Sequence, residues 1–116
     1  MKHEKINYLE IPSSNLKASQ QFFEKVFMWK FTPYGEDYLA FNDGTIDGGF
    51  YLSETSAKVS NGSVLVVFYS DDLDSTYQKI LNNEGKISTE TFEFPGGKRF
   101  HFLDPTGNEF AVWSEQ

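Results

Sequence analysis

The sequence predicts an α+β chain made of two tandem copies of a strand–helix–three-strand unit, and three observations carry that prediction. The segment Phe102-Leu103-Asp104-Pro105-Thr106-Gly107-Asn108-Glu109-Phe110-Ala111-Val112-Trp113 has a weaker copy at Phe41-Asn42-Asp43-Gly44-Thr45-Ile46-Asp47-Gly48-Gly49-Phe50-Tyr51-Leu52. Each copy runs from a strand through an Asp-led turn into a second apolar strand. They close on Ser53-Glu54 and Ser114-Glu115, 61 residues apart. Ahead of each hairpin stand a strand-like run, a capping cluster and an apolar stripe at helical spacing.

In the first copy, Ile6 to Ile11 alternates and meets Pro12-Ser13-Ser14-Asn15, whose side chains cap a helix start. Leu16, Phe22, Phe23, Val26 and Phe27 then give the helical stripe. In the second copy, Val64 to Tyr69 is a β-branched and aromatic run. Ser70-Asp71-Asp72 caps the next helix, Leu73, Tyr77, Ile80 and Leu81 form its stripe, and Gly85 stops it. The remaining strands are predicted at Trp29 to Thr32, Tyr38 to Phe41, Gly48 to Leu52, Ile87 to Phe92, Lys98 to Leu103 and Glu109 to Ser114. The chain reads as one domain over 1–116, with module one at about 1–56 and module two at about 62–116.

Composition narrows the class. The 116 residues are 39% hydrophobic and include 12 Phe, 6 Tyr and 2 Trp, enough to fill one core and too apolar for a disordered chain. No run reaches the roughly 18 apolar residues of a membrane span, and Met1-Lys2-His3-Glu4-Lys5 lacks the apolar segment of a secretion signal. With no cysteine there is no disulfide framework, thiolate nucleophile or zinc-thiolate site, and a cytoplasmic location is the default expectation. A net charge of −7 with scattered Lys and Arg argues against nucleic acid and anionic membrane surfaces as partners.

These residues carry a family resemblance. The doubled unit opens on Tyr8-Leu9-Glu10-Ile11-Pro12-Ser13-Ser14-Asn15-Leu16, continues through Phe22-Phe23-Glu24-Lys25-Val26-Phe27-Met28-Trp29-Lys30-Phe31, and ends on Phe102-Leu103-Asp104-Pro105-Thr106-Gly107-Asn108-Glu109. It resembles the glyoxalase, bleomycin-resistance and extradiol-dioxygenase superfamily of vicinal oxygen chelate proteins, and within it the small single-domain glyoxalase-like proteins. The resemblance implies two βαβββ modules whose mixed sheets curl around a concave cleft, and it favours a homodimer. In metal-using members four side chains, normally His or Glu, reach into the cleft from the first and last strands of the modules. Carried over by spacing, those positions fall at Ile6, Phe50, Leu65 and Ala111, none of which binds a metal. The same strand faces also offer Tyr8, Glu10, Leu52, Val67, Tyr69, Glu109 and Trp113, with two carboxylates and no histidine among them. No metal and no other cofactor is therefore expected.

The catalytic candidates are thin. His101 in Arg99-Phe100-His101-Phe102 shares a strand face with Arg99 and has the residue type of a general base, but the sequence identifies no carboxylate to orient it. Glu10 and Glu109 read either as an acid and base pair across the cleft, with Glu10 alternatively beside Arg99, or as solvated strand residues. Phe94-Pro95-Gly96-Gly97-Lys98-Arg99 reads first as a turn, because it precedes a strand and lacks any nucleotide-loop spacing. Asp104-Pro105-Thr106-Gly107 is likewise a turn, with no catalytic role for Asp104. Tyr8, Phe50, Tyr69 and Trp113 lie at or near the projected cleft positions. Together with Glu10 and Arg99 they form the expected ligand-binding set, suited to a planar or hydrophobic small molecule. Trp29 and the helix aromatics Phe22, Phe23 and Phe27 read as core, with each helix packed onto the convex side of its own sheet. Two functions follow as expectations: a metal-free small-molecule-binding protein similar to the bleomycin-resistance branch, or a lyase or isomerase with a non-standard or metal-independent site.

Overall fold

A computed structural model describes residues 1–115. The elements appear in the order β1 (Tyr8–Ser13), α1 (Leu16–Phe27), β2 (Lys30–Pro33), β3 (Tyr38–Asn42), β4 (Asp47–Leu52), β5 (Val66–Tyr69), α2 (Leu73–Asn82), β6 (Lys86–Phe94), β7 (Gly97–Leu103) and β8 (Glu109–Ser114). A single 3₁₀ turn at Val59–Asn61 lies in the connection between modules. The strands form two four-stranded sheets, ordered β1-β4-β3-β2 and β5-β8-β7-β6. In each, the first strand runs parallel to the last and the other pairings are antiparallel. This is the α+β arrangement of two tandem βαβββ modules with curled mixed sheets.

The repeat extends to individual hydrogen bonds. Asn15 caps α1 by accepting from the Ala18 N–H, and Asp72, 57 residues later, caps α2 by accepting from the Ser75 N–H. Behind each cap, two hydroxyls on strand and helix bond one another, Ser13 to Ser19 at 2.8 Å and Ser70 to Thr76 at 2.7 Å. These pairs satisfy polar groups that the strand-to-helix corner would otherwise bury unpaired.

The helix-facing sides of both sheets are apolar and meet in one continuous core. Phe23 of α1 lies 5.5 Å from Phe50 of the first sheet and 5.4 Å from Phe110 of the second, measured between ring centroids. Phe27 stacks on Phe68 at 4.3 Å. The sequence reading placed each helix on its own sheet. Instead α1 wedges between the two, because its aromatic stripe is wide enough to touch both. Trp29, just before β2, is stacked against Phe23 and Phe41 within the core. Leu81, expected in the α2 stripe, is exposed, and Thr76 takes its place among the buried residues of that helix.

The two modules are also tied by Asn108. Its Nδ2 donates to the Pro12 carbonyl on β1 at 2.6 Å, and its Oδ1 accepts from the Ala57 N–H at 2.8 Å. Asp104 holds the preceding turn, accepting at Oδ1 from the backbone N–H groups of Thr106 and Asn108. Burial pushes its carboxyl above the ordinary range despite those bonds. Phe94 to Gly97 closes the β6–β7 hairpin as a plain turn.

Candidate functional site

The faces of the two sheets opposite the helices carry the candidate site. Register decides which side chains share a face, because cross-strand partners point the same way. On the second sheet one row runs Tyr69, Trp113, Arg99 and Phe92 across β5, β8, β7 and β6. The next row runs Val67, Ala111, His101 and Thr89. Glu109 and Leu103 stand opposite each other one step further. On the first sheet, Glu10 and Gly49 pair on this face, as do Tyr38 and Tyr51.

Two hydrogen-bonded clusters occupy these faces. On the second sheet, Arg99 Nη2 lies 3.0 Å from His101 Nε2, and His101 Nδ1 lies 2.8 Å from Glu109 Oε2. Glu109 Oε1 accepts the Val59 N–H at 3.0 Å. A guanidinium only donates, so Nε2 of His101 accepts, and the imidazole is neutral with its proton on Nδ1, donated to Glu109. Burial alone would raise the Glu109 carboxyl, but the bonds from His101 and the Val59 N–H and the positive charge of Lys58 outweigh it. The net effect holds the group below its ordinary value. The carboxylate that orients His101 is thus Glu109, reached across the β7–β8 pair. The sequence lists both residues as candidates but cannot show that they meet.

On the first sheet, Tyr38 donates to Glu10 Oε2 at 2.9 Å, and its oxygen lies 2.7 Å from the Tyr8 hydroxyl. Since the Tyr38 proton goes to Glu10, Tyr8 is the donor in the second bond. Burial first, then the bonds to Tyr8 and Glu10, push the Tyr38 hydroxyl well above its usual value. Tyr38 reaches β1 by crossing Gly49, where any Cβ would overlap its ring and hydroxyl. Sequence reasoning missed Tyr38. The missing side chain at Gly49 was its only signal.

Several expected site residues sit elsewhere. Ile6 precedes β1 and is 83% exposed, and Leu65 lies outside β5. Phe50 is fully buried on the helix face beside Phe23 and Trp29, so it belongs to the core and not to the cleft. The cause is turn length. Asp43 N–H bonds the Ile46 carbonyl, whereas Asp104 N–H bonds the Asn108 carbonyl, so the first turn is one residue shorter and the repeat spacing slips by one. Through β1 and β5, 57 residues apart, the residue matching Ala111 is Gly49, and the residue matching Leu65 is Tyr8.

Tyr8, Glu10, Tyr69, Arg99 and Trp113 do lie on the faces opposite the helices. Glu10 and Glu109 both line a groove of about 580 Å³ between β1, the inter-module connection and the start of β8. No hydrogen bond or ion pair joins them, or joins Glu10 to Arg99, among the described residues. Phe92 and Phe94 are additions to the expected set. The Arg99 guanidinium carbon sits 5.8 Å from the Phe92 ring centroid, and Phe94 lies 6.1 Å from Trp113.

A divalent metal does not fit these residues. Among the described residues no three of His, Cys, Asp and Glu come together as a ligand set. The nearest approach, His101 with Glu109, has both ring nitrogens committed and a fixed positive charge 3.0 Å away. No helix among the described residues is long and apolar enough to cross a membrane.

The family model described as the Glyoxalase/Bleomycin resistance protein/Dioxygenase superfamily matches residues 5–112. Among curated protein sequences no match is found. Solved structures show the same fold at low identity. A glyoxalase/bleomycin resistance protein/dioxygenase family enzyme from Burkholderia phytofirmans is 19% identical, with TM-score 0.78 over 95% of this chain and 98% of that one. The fosfomycin resistance protein FosX from Listeria monocytogenes is 11% identical, with TM-score 0.80 over 97% and 94%. A lactoylglutathione lyase from Agrobacterium tumefaciens is 19% identical, with TM-score 0.72 over 96% and 93%. At these identities the likeness concerns the fold alone.

Proposed function

The chain belongs to the glyoxalase/bleomycin resistance protein/dioxygenase superfamily, and from that premise we propose that it binds a small planar, hydrophobic or aromatic molecule on the sheet face opposite the helices, without a metal ion. The observation that carries this reading is the row Tyr69, Trp113, Arg99 and Phe92. Three aromatic side chains and one cation stand side by side across four strands, and Tyr69 and Phe92 are exposed. Aromatic side chains left exposed on a sheet face favour stacking of a flat ligand, and the cation orients it. The test is a titration followed by tryptophan fluorescence. A Trp29→Phe background removes the core indole, so the signal reports Trp113. A panel of aromatic compounds should shift it saturably, and the reading fails if none does.

A second reading is an enzyme, a lyase or isomerase of the glyoxalase kind that works without metal. The His101–Glu109 pair favours it, because a carboxylate-oriented imidazole is the usual form of a general base. Its Nε2 is capped by Arg99, so proton abstraction there first requires a substrate to displace the guanidinium.

We also propose a homodimer. Tyr8, Tyr51, Val67, Tyr69 and Phe92 are each at least 40% exposed on the faces away from the helices. β1 and β5 each have one unpaired edge. A second copy that packs along these edges satisfies their free backbone groups and walls the two faces into a shared cleft, with the aromatic row left open to the ligand.

A further inference from the structure

We infer that the ligand of the second sheet is an aromatic carboxylate whose anionic end is held by Arg99, a guanidinium fixed in place by His101 and Glu109. The inference rests on the binding reading above and adds the chemical class of the ligand.

Arg99 carries an uncompensated charge. Arg99 is half-buried, its Nε is buried with no hydrogen-bond partner, and no carboxylate lies within ion-pair distance of it among the described residues. Glu109, the acid at the other end of the His101 bridge, is spent: one oxygen takes the His101 proton and the other takes the Val59 N–H. Glu109 therefore cannot turn toward Arg99 without leaving a ring N–H or a backbone N–H unpaired. What faces Arg99 is the neutral acceptor Nε2 of His101 on one side and the Phe92 ring on the other. Neither neutralises the cation. A half-desolvated arginine with neutral neighbours is an anion site awaiting its anion.

The remaining geometry selects the anion. Among the described residues the guanidinium makes one hydrogen bond, from Nη2, which leaves a hydrogen on Nη2 and both on Nη1 side by side. Two parallel donors match the two oxygens of a carboxylate. A carboxylate conjugated to an aromatic ring is flat. With its oxygens on Arg99 it extends along the row toward Trp113 and Tyr69, whose rings meet edge to face at 5.0 Å. The net charge of −7 opposes an anion at long range, but that field is screened over about 8 Å at physiological salt, and the local contact decides affinity. His101 and Glu109 are positioning residues here. The Glu109 carboxylate keeps the imidazole proton on Nδ1, which keeps Nε2 an acceptor, which holds Arg99 in place.

The test compares 2-naphthoate with its uncharged isostere 2-naphthamide by calorimetric titration of wild type, Arg99→Met and Glu109→Gln. Wild type should prefer the carboxylate by about 10- to 100-fold, the range of a charge-assisted pair. Arg99→Met keeps an apolar stem and should erase the preference while leaving naphthamide affinity within about threefold. In Glu109→Gln the side-chain amide can donate to Nδ1. That moves the ring proton to Nε2, against the guanidinium, so the preference should fall with Arg99 still present. Retained naphthamide binding in both variants shows that the site is folded. Equal binding of the two compounds to wild type, or a preference that survives Arg99→Met, overturns the inference and leaves the binding reading standing. Failure of both compounds to bind wild type overturns the two together.

Discussion

His101 Nδ1 and Glu109 Oε2 stand 2.8 Å apart, with side chains only 13% and 14% exposed, although the two residues are not cross-strand partners. His101 pairs with Ala111, and Glu109 pairs with Leu103. The contact is a diagonal one, and the methyl side chain of Ala111 leaves room for it. A longer residue at that position would stand between imidazole and carboxylate.

The pair gives Glu109 a defined pH signature. Its carboxyl is held below the ordinary value of 4.5 in the folded chain. A lowered carboxyl contributes stability that is fully present above the unfolded value and lost as pH falls through the folded one. Wild type should therefore exceed Glu109→Gln in urea midpoint at pH 7 and 5, with the gap closing toward pH 3. A gap that stays constant with pH would mean that the ionised carboxylate contributes nothing.

Asn108 should be among the costliest single positions outside the aromatic core. It is 1% exposed and joins Pro12 of one module to Ala57 of the connection. Asn108→Ala leaves a buried carbonyl and a part-buried N–H without partners, at about 1–3 kcal/mol each. Asn108→Asp keeps the acceptor for Ala57 but turns a carboxylate oxygen toward the Pro12 carbonyl and places it beside Asp104. The aspartate variant should thus be at least as damaging as the alanine, as read from denaturant midpoints at pH 7. A near-neutral result for either would remove Asn108 as the clasp between modules.

Much of this was legible in the sequence because it is written in local patterns. Leu16 to Phe27 and Leu73 to Ile80 show the helical period, and Arg99 to Leu103 shows the strand period, so faces could be read without coordinates. Asp104 announced its turn through Pro105 and Gly107. Phe50 failed because a repeat aligned by its Asp-led turns cannot reveal that one turn is a residue shorter, and a single-residue slip reverses a strand face. Tyr38 and the Arg99–His101–Glu109 chain were illegible for another reason. They depend on strand order, which puts β8 beside β7 and β4 between β1 and β3.

The metal question has a direct readout. Through the repeat, the positions matched to family ligands hold Tyr8, Gly49, Leu65 and Ala111, and only the first carries a donor atom in its side chain. The expected result is a melting temperature unchanged by excess chelator and unchanged by added Ni, Zn, Mn or Fe. Binding to the folded state at a hundred times the dissociation constant would add about 2.7 kcal/mol, a shift of several degrees at this chain length. Stoichiometric metal retained through purification, with a chelator-induced drop in melting temperature, would refute the metal-free reading.

Exposed side chains away from the helices favour assembly of two chains. The core already joins both modules within one chain through α1, so the second copy is not needed to bury Phe23 or Phe27. What one chain leaves uncovered is the opposite side, where Tyr8 and Val67 are exposed on the edge strands β1 and β5, Tyr51 and Tyr69 stand on β4 and β5, and Phe92 stands on the far strand β6. An exposed apolar Val67 on an edge strand with free backbone groups is a surface that a second copy can cover. Light scattering at micromolar concentration should give twice the 13.3 kDa chain mass. Val67→Lys places a charge on this face outside the Arg99–His101–Glu109 chain, and it should shift the population toward monomer while leaving the melting transition cooperative. A wild-type mass of one chain at that concentration would show that these faces are open to ligand in the monomer itself.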